Sequence, residues 1–160
     1  MAAIDQSPEM LAVAKQVAQT EGLTIDFRLA SLGDDLPFAS GQFDFLICAL
    51  VLCHVPDLPH AIQEFYRVLR PGGYLLISDF HPDAVERGWY TTFLGREAAY
   101  TLPNMPHTRV DYIDAVEKTG FTILQTIDAL VREIPDDYPS KATLRDHLEK
   151  TFCLIVLAQK

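Results

Sequence analysis

At 160 residues, with 49% apolar and 22% charged side chains, the chain has the size of one domain and enough apolar mass to bury a core. Its net charge of −9, with 13 Lys and Arg scattered along the sequence, argues against a nucleic-acid or anionic-membrane partner. No apolar stretch reaches the roughly 18 residues of a membrane span, and no cationic signal opens the chain, so the expectation is a cytoplasmic protein whose Cys48, Cys53 and Cys153 are reduced thiols.

Ala2-Ala3-Ile4 is a short apolar run closed by Asp5, and a capped helix opens directly after it. An acid at the C-terminal end of a strand is the usual ribose-hydroxyl anchor of a doubly wound nucleotide-binding sheet, where it follows a Gly-rich loop by about 20 residues. Only four residues precede Asp5, so that loop has no counterpart in this sequence. The competing reading is an ordinary pre-helix acid favoured by the helix dipole.

Ser7-Pro8 predicts a helix start, Met10, Leu11, Ala14, Val17 and Ala18 its core-facing stripe, and Gly22 its stop. Thr24 to Leu29 alternates like a strand, and Ser31 to Ser40 is loop around the apolar Leu36-Pro37-Phe38. Phe43 to Leu52 is nearly continuous apolar sequence, which predicts a strand buried on both faces of a parallel sheet. Asp57 caps a helix with Leu58, Ala61, Ile62, Phe65, Val68 and Leu69 inward. Pro71-Gly72-Gly73 is expected to end it, with a buried strand from Tyr74 to Ile77 running out to Asp79.

Residues 80 to 107 show no clean period and carry Trp89, Tyr90, Phe93 and Tyr100, which suggests a lid or substrate region. Thr108 caps a further helix, stopped by Gly120. Phe121 to Val131 reads as a strand, Lys141 to Glu149 as a short helix and Phe152 to Ala158 as a closing strand. The loop from Arg132 to Ser140 replaces a helix-sized crossover, so the last two strands are expected to be antiparallel.

Four blocks then line up in order and spacing: Ile4-Asp5-Gln6-Ser7-Pro8-Glu9-Met10-Leu11; Asp35-Leu36-Pro37-Phe38 with Gly41-Gln42-Phe43-Asp44; Leu52-Cys53-His54-Val55-Pro56-Asp57; and Arg67-Val68-Leu69-Arg70-Pro71-Gly72-Gly73. Together they resemble class I S-adenosylmethionine-dependent methyltransferases of the small-molecule type, over nearly the whole chain. The resemblance implies a single Rossmann-like domain over residues 1–160. It would be a three-layer α/β sandwich, mostly parallel, with an antiparallel last strand and with the first strand missing. It implies S-adenosylmethionine as cofactor, with Asp5 on the ribose hydroxyls and Gln6 and Met10 against the adenosine. Ser31 and Leu32 would meet the adenine, and Ala49 and Leu50 would line the methionine arm. Ser31 stands where the family usually has an acid, which weakens that contact.

His54, just past the buried strand, is the candidate catalytic base or substrate clamp, or simply shapes its loop. Asp79 and His81 either touch substrate or terminate their strand. The spacing of Cys48, Cys53, His54 and His60 matches no usual zinc interval, so no metal is expected. The absent first strand belongs mid-sheet, between the strands at Asp5 and Phe43. Its loss exposes two central edges. Those edges close on each other, or another chain fills the gap, or the sequence is a piece of a longer protein. Self-association through the edges is the expectation.

The leading function is methyl transfer to a small-molecule acceptor. The alternatives are a catalytically inactive methyltransferase-like binding or assembly module, and an NAD-linked Rossmann enzyme, which the blocks after residue 35 disfavour.

Overall fold

The computed structural model describes residues 1–94, 98–136 and 141–160. Parts of the expected lid and of the Arg132–Ser140 loop therefore lie outside the described residues, while the short helix expected after that loop is a 3-10 helix, Lys141–His147.

The chain opens with β1 (Ala2–Asp5), α1 (Pro8–Thr20) and β2 (Asp26–Leu29). The Ser7 hydroxyl accepts the Met10 N–H at 3.2 Å and Pro8 occupies the first turn, so the helix starts where the Ser-Pro pair placed it. The helix buries Leu11 and Ala18, but Met10 and Val17 of the predicted stripe face solvent. β1 and β2 are parallel, Ala2 opposite Asp26 and Asp5 opposite Leu29.

β3 (Phe43–Ala49), α2 (Leu58–Val68) and β4 (Leu69–Phe80) follow. Asp57 caps α2 by accepting the His60 N–H at 3.0 Å. The helix ends at Val68, with Leu69 already extended. The Pro71-Gly72-Gly73 segment is therefore not the turn expected from the sequence. It lies inside β4, where the register against β3 jumps from Phe43–Leu69 to Phe45–Tyr74 and bulges out the intervening β4 residues. Gly73 is required there, because a Cβ would sit 2.9 Å from the Arg70 carbonyl oxygen and 3.1 Å from that of Asp44.

The remaining elements are α3 (Pro82–Glu86), a small antiparallel pair of β5 (Thr92–Leu94) and β6 (Ala99–Thr101), α4 (Arg109–Thr119), β7 (Thr122–Leu130) and β8 (Thr151–Gln159). The region read as aperiodic thus holds short elements of its own. α4 carries a capping box between Thr108 and Asp111 and ends at Gly120, whose φ of +107° is left-handed. β8 lies between β4 and β7 and is antiparallel to both, giving the order β3-β4-β8-β7. The antiparallel ending is as expected, and the fold is α/β of the doubly wound, Rossmann-like class.

One face of this sheet packs on α2 and α4 through Leu75, Ile77, Leu154, Val156, Phe65 and Tyr112. The other face is open over β3 and β4: Phe45, Ile47 and Tyr74 are all exposed, and so is Ile127 on β7. β3 is therefore not buried on both faces, because helices cover only one side of it. Among the described residues no ladder joins β1 to β3, so direct closure of the two central edges is not what the structure has. The β1–β2 pair meets the main sheet across a slot.

Candidate functional site

A groove of about 650 Å³ occupies that slot and runs the length of both strands, from Ala2 to Asp5 on one wall and from Phe45 to Ala49 on the other. Its upper end lies beyond the carboxyl ends of β1 and β3, where open α/β sheets bind ligands. Asp5, Gln6, Ser31, Leu32, Ala49, Leu50 and His54 all line it. These residues come from three separate stretches of sequence. Met10 does not join them, since it sits one turn into α1 on the solvent side, 56% exposed.

Asp5 fills the pre-helix role weighed for it and also lines the groove. Its Oδ1 accepts the Ser7 N–H at 2.8 Å, fixing the entry to α1. The second carboxylate oxygen has no hydrogen-bond partner among the described residues, and Asp5 is one of the groove's lining residues. Ser31 uses one lone pair to accept the Gly33 N–H at 3.1 Å, which leaves its proton and second lone pair for a ligand. Leu50 is held in the left-handed region at φ +56°, and its N–H donates to the Ser78 carbonyl at 2.8 Å. Strain of this kind, about 1–3 kcal/mol, persists only where neighbours over-determine the backbone.

His54 ends a short 3-10 turn, Leu52–His54, and its Nδ1 lies 2.9 Å from the Pro103 carbonyl oxygen. Beneath this turn Asp79 is fully buried. Its Oδ2 accepts the Cys53 N–H at 2.7 Å and the Tyr112 hydroxyl at 3.1 Å, and its Oδ1 accepts the Phe80 N–H. Burial, reinforced by the Asp79 charge, pushes the Cys48 thiol up to about 12 and raises Cys53 and Tyr112 as well. Neither thiol is a nucleophile at neutral pH.

His81 is likewise buried, accepting the Asp83 N–H on Nδ1 and facing Asp128 through Nε2 at 3.1 Å. Asp79 and His81 are thus both engaged within the fold and not presented to the groove. Trp89 packs edge-on against His147 with Arg87 over its ring, and neither it, Tyr90 nor Tyr100 lines the groove. The Phe93 side chain lies outside the described residues. The aromatic rings that do line the groove are Phe38, Phe43, Phe45 and Phe65.

The sequence reading missed the clasp that holds this floor. Glu64, almost fully buried, accepts the Leu36 N–H at 2.6 Å and two N–H groups of Arg67, both at 2.7 Å. Arg67 in turn donates to the carbonyls of Phe38 and Leu36. Spacing of i and i+3 on α2 was the available signal, but their target 28 residues upstream was not visible.

Residues 1–77 match the family model described as a methyltransferase domain. Over that stretch the chain is a methyltransferase domain. It is 32% identical over 116 residues to a ubiquinone biosynthesis O-methyltransferase of Xanthomonas axonopodis pv. citri, a match spanning 72% of this chain and 48% of that protein. A demethylmenaquinone methyltransferase of Thermus thermophilus is 40% identical over 78 residues, spanning 49% of this chain and 35% of that protein. The chain therefore spans half or less of the length of these curated relatives. An S-adenosylmethionine-dependent methyltransferase structure from Mesorhizobium loti superposes with a TM-score of 0.74 at 22% identity, covering 99% of this chain and 79% of that one, and shows the fold.

The residues present fit the nucleoside half of the family's cofactor. An unengaged carboxylate oxygen on Asp5, the spare hydrogen-bonding capacity of Ser31 and the apolar Leu32 stand together at one end of the groove.

Proposed function

We propose that the upper end of the groove binds S-adenosylmethionine and that the chain, alone or as part of a larger protein, transfers its methyl group to a small aromatic acceptor. The observation that carries this reading is Asp5: a carboxylate at the tip of β1 that lines the groove together with His54 and Ala49, one oxygen fixed by Ser7 and the other without a hydrogen-bond partner among the described residues. Asp5 accepts hydrogen bonds from vicinal ribose hydroxyls, while Gln6, Ser31 and Leu32 border the base. Ala49 and Leu50 line the path toward the reacting end. When bound, S-adenosylmethionine supplies an electrophilic methyl carbon.

The protein's own part is alignment, which supplies as much as about 7–11 kcal/mol in well-oriented reactions, together with water exclusion by the phenylalanine walls. His54 takes the proton released by a hydroxyl acceptor. An aromatic acceptor suits the Phe38, Phe43 and Phe45 lining. It also accords with the quinone-biosynthesis names of the relatives.

Titration calorimetry of S-adenosylhomocysteine into the 160-residue chain tests this. Binding tighter than about 1 mM, some 4 kcal/mol, is expected, with a tenfold or greater loss in Asp5→Asn. No heat at millimolar ligand, or equal binding by Asp5→Asn, overturns the reading. It would leave the open slot between β1 and β3 in favour of an inactive assembly module.

A further inference from the structure

The loop after β3 is gripped from both sides. From the core, Asp79 and Tyr112 hold it through the Cys53 N–H. From outside, residues 103–107 lie along it as a strap that bonds at every second position. The Pro103 carbonyl meets His54 Nδ1 at 2.9 Å, the Met105 N–H donates to the Cys53 carbonyl at 2.7 Å, and His107 Nε2 meets the Val55 carbonyl at 2.7 Å. Two prolines, Pro103 and Pro106, restrict the strap's φ angles in advance. The Asn104 amide is buried with no hydrogen-bond partner among the described residues, so the clasps named above, and not that side chain, hold the strap.

A carbonyl only accepts, so the ring nitrogen facing it must carry a proton. For His54 that nitrogen is Nδ1. In the neutral ring Nε2 is then bare, and it is the one nitrogen left to serve the groove that His54 lines. For His107 the protonated nitrogen is Nε2. The His107 ring also packs edge-on against Tyr112, centroids 6.0 Å apart, immediately before the Thr108 cap of α4. One histidine thereby ties the strap to both α4 and the His54 loop.

We infer that the 103–107 strap locks His54 in its Nδ1–H tautomer, leaving Nε2 as the proton-accepting nitrogen, and that His107 is the positioning residue that seats the strap. The inference rests on the groove being a methyl-transfer cleft. Its geometry is tested without turnover. A solvated histidine side chain favours the opposite, Nε2–H tautomer, so a locked Nδ1–H form is diagnostic.

Long-range ¹H–¹⁵N spectra of the full chain at pH 8 report each ring's tautomer. Nδ1–H for His54 is expected, collapsing to a mixture dominated by Nε2–H in His107→Ala. His107→Gln, whose amide N–H replaces the Nε2 donor, is expected to restore it. A wild-type His54 that is Nε2–H or averaged overturns the inference, even where His107→Ala does not fold. So does a His107→Ala protein with the wild-type signature. A locked His54 in a chain that binds no S-adenosylhomocysteine upholds the tautomer lock and strikes the methyl-transfer reading alone. Ligand binding with an averaged His54 does the reverse.

Discussion

Leu50 stands at the end of β3 with a backbone conformation that a branched side chain adopts at a cost of about 1–2 kcal/mol. Its side chain is more than half exposed, so little packing offsets that cost. Leu50→Gly is expected to raise the denaturant midpoint, corresponding to about 1 kcal/mol, and to weaken ligand binding in the same groove by loosening the turn. An unchanged or lower midpoint in chemical unfolding would show that the turn is not strained. Of the residues singled out in the sequence, those that follow a strand end proved legible: Asp5, Gln6, Ser31, Leu32, Ala49, Leu50 and His54 converge because parallel strands deliver their C-terminal loops to one edge. Met10 failed because a helix periodicity specifies which residues share a face but not how much of that face is covered.

Between elements, Glu64 and Arg67 tie α2 to the Leu36–Phe38 loop that floors the groove. The Arg67 hydrogen bonds, then the Leu36 N–H, hold the Glu64 carboxyl below the usual carboxylate range, and Arg109 with His81 does the same to Asp128. A depressed carboxylate contributes stability that is present above its ordinary pKa and lost as pH falls through the folded value. Glu64→Gln is therefore expected to destabilise the protein by about 2 kcal/mol at pH 7. The gap to wild type should narrow steadily below about pH 4. Thermal melts across that range check it, and a gap independent of pH contradicts it. The elements themselves were mostly readable from caps and stops. The Pro71-Gly72-Gly73 segment misled because proline and glycine punctuate helices and also permit a bulge, and only the β3 register separates the two. The burial of β3 misled because its apolar sequence is that of an inner strand, while its surroundings here are those of an edge.

For the molecule as a whole, the slot between β1 and β3 and the open face carrying Phe45, Ile47 and Tyr74 are contiguous along β3. Unpaired strand edges and exposed apolar patches favour association. The chain at tens of micromolar is expected to sediment as a dimer or larger species and to dissociate on dilution. A lone monomer at every concentration, melting cooperatively, counts against this. A net charge of −9 opposes close approach of copies, so added salt should strengthen the association.

The first thirty residues reach the rest of the protein through side chains such as Ile4 and through the floor loop, with no shared hydrogen-bond ladder among the described residues. β1, α1 and β2 are therefore expected to open as a unit of their own. Amide protons of Ala3 to Asp5 and Phe27 to Leu29 should exchange with deuterium long before those of Leu75 to Ile77. A nucleoside touching Asp5 on one bank and Ala49 on the other would act as a rivet, slowing exchange across the first thirty residues while leaving the interior of β8 as it was.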